Sequence, residues 1–183
     1  MRELRLRPLM ASDYAYVFGL LVGGANGARW RFRGATPSPE MFERALWSGV
    51  SAQLVAETRD RRPIGLAVAF NAVFEAGHVE LGVAVDPGYQ KRGGWTAAIG
   101  LGLLRHTFLS WPVHKVYGRI PAFNLADLRG LTRLGWVEEG TMRDYCFYDG
   151  HYWDEHVLAL TREAWEKIDR RFARFCPEFG DGR

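Results

Sequence analysis

Residues 79–96, Val-Glu-Leu-Gly-Val-Ala-Val-Asp-Pro-Gly-Tyr-Gln-Lys-Arg-Gly-Gly-Trp-Thr, hold most of the side chains and turns that can do chemistry. They read as a strand that breaks at Pro87, crosses a short glycine-containing turn and opens a helix. Unpaired backbone N–H groups and the positive end of a helix dipole then meet at the tip of a strand, where a phosphate or pyrophosphate can bind. The turn comprises Gln90, Lys91, Arg92, Gly93, Gly94, Trp95 and Thr96. Its two glycines lack a Cβ and admit close backbone approach, and its two cations add positive charge.

Glu80 lies on the strand before this turn, in phase with Gly82 and Ala84. A carboxylate there can act as a general base, directly or through water, or stand as an ordinary surface group at a strand edge. The second cluster is Arg29-Trp30-Arg31-Phe32-Arg33. If extended, it turns Arg29, Arg31 and Arg33 one way and the two aromatics the other. The arginines can grip a carboxylate or phosphate on a substrate, or touch RNA, while Trp30 and Phe32 read as core residues. Tyr145, Tyr148 and Tyr152 lie on a late hairpin, where packing competes with proton donation to a leaving group; Tyr148 is carried as the candidate acid. His151 and His156, five apart on or near a strand, point to opposite faces, so no metal site is expected. Cys146 has no histidine paired with it locally and is not expected to be a nucleophile.

The elements that must position these groups follow from periodicity. Strands are expected over residues 3–7, 53–58, 64–70, 78–85, 114–120, 136–148 and 152–160, and helices over 12–21, 40–48, 96–109 and 124–133, with a last helix from Thr161. Residues 23–39 are expected to form a loop, Asp149-Gly150 a hairpin turn, and Gly135 a helix C-cap. Asn124 is expected to cap the helix that follows it. This order argues an α/β (α+β) domain with a mostly antiparallel sheet and helices on both faces. One domain is expected over 1–175, with a frayed tail over 176–183.

Hydrophobic residues make up 48% and charged residues 25% of the 183, which fits a globular protein with a sizeable core. The net charge of +3 suits an anionic partner but is too mild to single out a nucleic-acid binder. No apolar run is long enough for a bilayer, the N-terminus lacks a signal-peptide core, and the two cysteines have no metal-type spacing. A cytoplasmic protein with no membrane partner is the expectation.

Gln90-Lys91-Arg92-Gly93-Gly94-Trp95 fits Gln/Arg-x-x-Gly-x-Gly/Ala at all but its last position. In this it resembles the acyl-CoA pyrophosphate loop of the GNAT N-acetyltransferase superfamily. Glu80-Leu81-Gly82 with Asp86-Pro87, Asn124 with Leu134-Gly135-Trp136, and Arg143, Asp149-Gly150 and Trp153-Asp154, with Trp165 beyond, resemble its ribosomal-protein N-terminal acetyltransferase branch. The resemblance runs from Leu4 to about Trp165. It implies a splayed central cleft and acetyl-CoA or another acyl-CoA as co-substrate. The backbone of Val83, Ala84 and Val85, the Gln90–Thr96 turn and Asn124 would hold that donor. It further implies acyl transfer to a primary amine on a small molecule or a peptide, assisted by Glu80, Asn124 and Tyr148.

Two departures bear on that reading. Trp95 stands where the family has Gly or Ala, and it either blocks the pyrophosphate path or turns aside on Gly94; the second is expected. Asp127 stands where the family usually has Ser, which leaves the general acid open. A donor carried by tRNA or a carrier protein, or a binding domain without catalysis, remains an alternative.

Overall fold

The computed structural model describes residues 4–22, 24–27, 30, 32–90 and 94–180. Its strands are β1 (Leu4–Pro8), β2 (Val50–Thr58), β3 (Pro63–Val73), β4 (His78–Val85), β5 (Lys115–Pro121), β6 (Val137–Tyr148), β7 (His151–Thr161) and β8 (Glu178–Phe179). They form one sheet in the order β6-β7-β5-β4-β3-β2-β1-β8. The β4–β5 and β1–β8 pairs are parallel and the others antiparallel. The helices are α1 (Tyr14–Val22), α2 (Gly24–Gly27), α3 (Pro39–Leu46), α4 (Pro87–Gln90), α5 (Trp95–Ser110), α6 (Leu125–Arg133) and α7 (Arg162–Phe172). None of the described helices is long and apolar enough to cross a membrane.

Both faces of the sheet are covered, which explains why β2 and β3 carry near-continuous apolar runs rather than alternation. On one face α5 buries Ile99, Leu103 and Phe108 against Leu6, Ile64, Val79 and Val116, with Trp165 and Ile168 of α7 beside it. Phe108 and Trp165 stack at 4.9 Å between ring centres. On the other face α1 and α3 place Val17, Leu21, Phe42 and Leu46 on Val55, Leu66, Val68 and Ala84. Local signals set the ends. Ser38 and Thr161 accept the backbone N–H of Met41 and Ala164 as N-caps of α3 and α7. The Asp149-Gly150 turn has positive φ at both residues, 52° and 77°, as a two-residue hairpin requires.

Arg162 fixes the start of β5, one lip of the cleft described below. Its guanidinium donates to the carbonyls of Phe108, Trp111 and Val113 at 2.7–3.0 Å. Arg162→Ala should lower stability by about 2–3 kcal/mol in urea unfolding, because charge-assisted bonds to carbonyls are lost together. Lysine should not restore it, since one ammonium cannot span the fork's partners.

Two sequence expectations need correction. The tail expected to fray from residue 176 is docked as far as Gly180: Pro177 is buried against Gly102, Phe179 stacks on His106, and Gly180 N–H donates to the Leu6 carbonyl. Its apolar residues find a seat beside α5 that local composition cannot reveal. The expected loop 23–39 contains α2 and begins α3.

Candidate active site

The parallel pairing of β4 with β5 stops at Glu80 and Tyr117, while β4 stays paired with β3 as far as Val85. The sheet therefore opens between β4 and β5. Asp86 N–H donates to the Ile64 carbonyl, which sets the phase of the β3–β4 ladder. By the alternation of an antiparallel pair, Gly82 and Ala84 turn their backbone polar groups to β3, and Val83 and Val85 turn theirs to the gap. No described strand pairs with Val83 or Val85 on that side. The Val85 carbonyl is taken, since Gln90 Nε2 donates to it at 2.8 Å and Asn26 Nδ2 at 3.3 Å.

The gap runs toward the start of α5. Asp86 receives the N–H of Gly88 on Oδ1 and those of Tyr89 and Gln90 on its carbonyl, so α4 forms directly after the strand. Gly94 then takes a left-handed conformation, φ 71°, and α5 begins at Trp95. The Ala98 N–H closes the first helical turn on the Gly94 carbonyl, so those of Trp95, Thr96 and Ala97 have no intrahelical partner. Trp95 is half-buried and packs toward the α5-side core. Its ring meets Tyr89 edge-on at 6.0 Å, and Arg62 covers the other ring at 5.8 Å.

The face of the sheet that carries α1 and α3 is polar around the opening. Glu80 accepts from Asn71 Nδ2 at 3.2 Å. Trp30 lies over Gly82, where a Cβ would come within 3.1 Å of its ring. Three residues on, Arg33 reaches Glu155 of β7 at 3.5 Å, and Arg119 of β5 reaches the same carboxylate at 2.5 Å. Trp30 and Arg33 thus stand on either side of the opening, at the β4 lip and on the β5–β7 side. Cys146 also donates to Glu155, and burial first, then that carboxylate, push its thiol up to about 11. It stays a thiol near neutrality.

No protein-family model matches the chain. The SPbeta prophage-derived uncharacterized N-acetyltransferase YokL of Bacillus subtilis is 28% identical over 114 residues, which are 62% of this chain and 64% of the relative. The match thus spans just under two thirds of that relative's length. Spermidine N-acetyltransferase from Vibrio cholerae, solved with CoA and spermine, superposes on 90% of this chain and 98% of its own, with TM-score 0.80 and 20% identity. Its structure with manganese ions superposes on 92% and 96%, with TM-score 0.76 and 20% identity. The fold is that of the GNAT N-acetyltransferases.

Within this GNAT fold the expected site residues divide. Glu80, Val83, Val85, Trp95 and Thr96 border the opening or the α5 start, as do Gly94 and the backbone of Gln90. Four details differ from expectation. The backbone polar groups of Ala84 belong to the β3 ladder rather than the gap. The Gln90 side chain braces Val85 and Asn26. Around Arg33 the chain turns rather than extends, with Arg33 N–H donating to Trp30 O and Ala35 N–H to Phe32 O. Asn124 occupies the N-cap position of α6, yet its side chain makes no cap bond. Tyr148 packs on Phe123 at 4.7 Å. Arg29, Arg31, Lys91, Arg92, Gly93 and the side chain of Asp127 lie outside the described residues. Sequence reading missed Asn71, Arg119 and Glu155. One signal existed: Glu155 is in phase with Trp153, Val157 and Ala159, which puts a carboxylate on an otherwise apolar strand face.

Proposed function

We propose that this chain is an N-acyltransferase that takes an acetyl or other acyl group from acyl-CoA and passes it to a primary amine. The observation that carries the proposal is the opening between β4 and β5. It presents the Val83 and Val85 N–H groups and leads to the first N–H groups of α5, which have no intrahelical partner. An extended arm with amide groups fits such a strand edge, and a pyrophosphate fits such a helix start. A bound acyl thioester supplies an activated carbonyl carbon and a thiolate leaving group.

The residues then divide the labour. The Val83 N–H donates to the acyl carbonyl oxygen and stabilises charge developing there. Glu80, on the α1–α3 face beside the opening, takes the proton from the attacking amine. Asn124, with its amide free of capping, contacts the donor arm. Tyr148, beside Phe123, is the remaining candidate to protonate the departing sulfur. The solved neighbours are named for spermidine, so neither the ribosomal-protein branch nor a tRNA or carrier-protein donor enters the proposal.

The test is direct transfer. Purified protein, acetyl-CoA and a panel of primary amines should release free thiol and yield an acetylated amine by mass spectrometry. Thiol release independent of every amine, or none at all, contradicts the reading. Trp95 gives a second check. Because the indole packs on Tyr89 and the core, Trp95→Ala should keep acetyl-CoA affinity in calorimetry. Its stability should fall by about 1–3 kcal/mol, less than for a fully buried indole. A large gain in affinity would mean that the indole obstructs the donor path.

A further inference from the structure

We infer that the amine accepted by this site also carries a carboxylate close to its nitrogen, gripped by Arg33 and Arg119. The inference rests on the N-acyltransferase reading and names its acceptor class.

Arg33, Arg119, Tyr145 and Glu155, from separate parts of the chain, converge on the β5–β7 side of the opening, and Arg119 lies near enough to Glu80 to feel its charge. Glu155 is 3% exposed, while Arg119 and Arg33 keep 30% and 49% of their side chains exposed. The Tyr145 ring lies under both guanidiniums, at 4.9 Å from Arg119 and 5.6 Å from Arg33. Two guanidiniums share the one buried carboxylate of Glu155, and the other carboxylate that acts on Arg119 is Glu80, the proton acceptor of the proposed reaction. Burial works against the charge on Arg119, but Tyr145, Glu155 and, most weakly, Glu80 outweigh it and raise its pKa. Part of each fork faces solvent. That is the arrangement a carboxylate recognises, since the fork offers paired donors in one plane.

The backbone is bent to build this cluster. Arg33 has φ 40° and Asp144 φ 49°, both left-handed and unfavourable for residues with a Cβ. Asp144 lies in the irregular register between Met142 and Cys146, and its N–H is held by Asp154 Oδ1 at 2.9 Å. A bulge of this kind re-aims the next side chain, here Tyr145. Two strained positions, 111 residues apart in sequence (144 − 33), aim at one point.

Position decides the acceptor. Glu80 pairs with Tyr117 in register, and Arg119 follows Tyr117 by two residues on the same strand face. The proton acceptor and the cationic grip are therefore two residues along and one strand across from each other, about 8 Å or more between Cα atoms. An amine at Glu80 would place a nearby carboxylate against Arg119. A polyamine would instead bring further positive charge to two arginines whose one buried carboxylate is already shared.

Matched acceptors test this: lysine against cadaverine, and phenylalanine against phenethylamine, each with acetyl-CoA. The carboxylate member of each pair should have kcat/KM at least about tenfold higher, mainly through KM. Arg33→Gln, which leaves Glu155 paired with Arg119, should collapse that ratio toward unity, and Arg119→Lys should reduce it in the same direction. Equal use of both members, or preference for the amine without a carboxylate, overturns the inference while the N-acyltransferase reading stands. A ratio unmoved by both substitutions overturns the assignment of the arginines. Acetylation of no amine at all overturns both readings together.

Discussion

Glu80→Gln is expected to bind acetyl-CoA with wild-type affinity and to lose about two to three orders of magnitude in kcat, the usual range for a positioned general base. The substitution is close to isosteric. Asn71 can still hydrogen-bond the amide oxygen, so the β3–β4 pairing of Phe70 with Glu80 should be undisturbed. What disappears is a group able to take a proton. Donor affinity by calorimetry and kcat by thiol release separate the two effects. A kcat within about threefold of wild type would remove Glu80 from the mechanism, because no general base is that dispensable.

The second large effect concerns a backbone group. Val83→Pro should reduce kcat/KM by about two to three orders of magnitude, the cost of removing one donor aimed at a developing oxyanion. Proline has no N–H, and the lost donor is the one that faces the gap. The β3 ladder does not use it, and Gly82 accepts the extended geometry that precedes a proline. The neighbouring position gives the contrast. Ala84→Pro removes a ladder N–H opposite Leu66 and should destabilise the protein by about 2–3 kcal/mol or more. If Val83→Pro retains full activity with an intact fold, the oxyanion role of that amide is wrong.

Much of the frame was legible because periodicity reports burial. The strand expected over 78–85 matches β4, and the helix expected over 96–109 is α5 lengthened by one residue at each end. The Asp149-Gly150 turn was readable because only a few residue pairs tolerate two positive φ values. The Gln90 motif was readable as a place but not as a set of contacts. Nothing local says that its amide would turn back to the Val85 carbonyl rather than toward the helix start. Asn124 had the right residue type for a cap, yet the preceding 3-10 turn, Ala122–Asn124, leaves its side chain without that bond.

The acceptor face was the least legible part. Arg33 and Glu155 meet across 122 residues of sequence, and their meeting depends on β7 lying beside β5 and on the bonds from Arg33 N–H to Trp30 O and Ala35 N–H to Phe32 O. An alternating Arg-aromatic run fits an extended strand as well as a turn, and only tertiary packing of Trp30 and Phe32 selects the turn. The same packing places Trp30 over Gly82, where a larger residue would crowd it.

The central claim is that the edge of β4 and the start of α5 form one donor site. A titration of isotope-labelled protein with acetyl-CoA, followed through its backbone amide resonances, tests it most directly. The largest shifts should fall on the N–H groups of Val83, Val85, Trp95, Thr96 and Ala97, while Gly82 and Ala84, bonded to β3, should move least. Saturating acetyl-CoA with no change at those five amides, or with changes confined to another face of the sheet, would contradict the account.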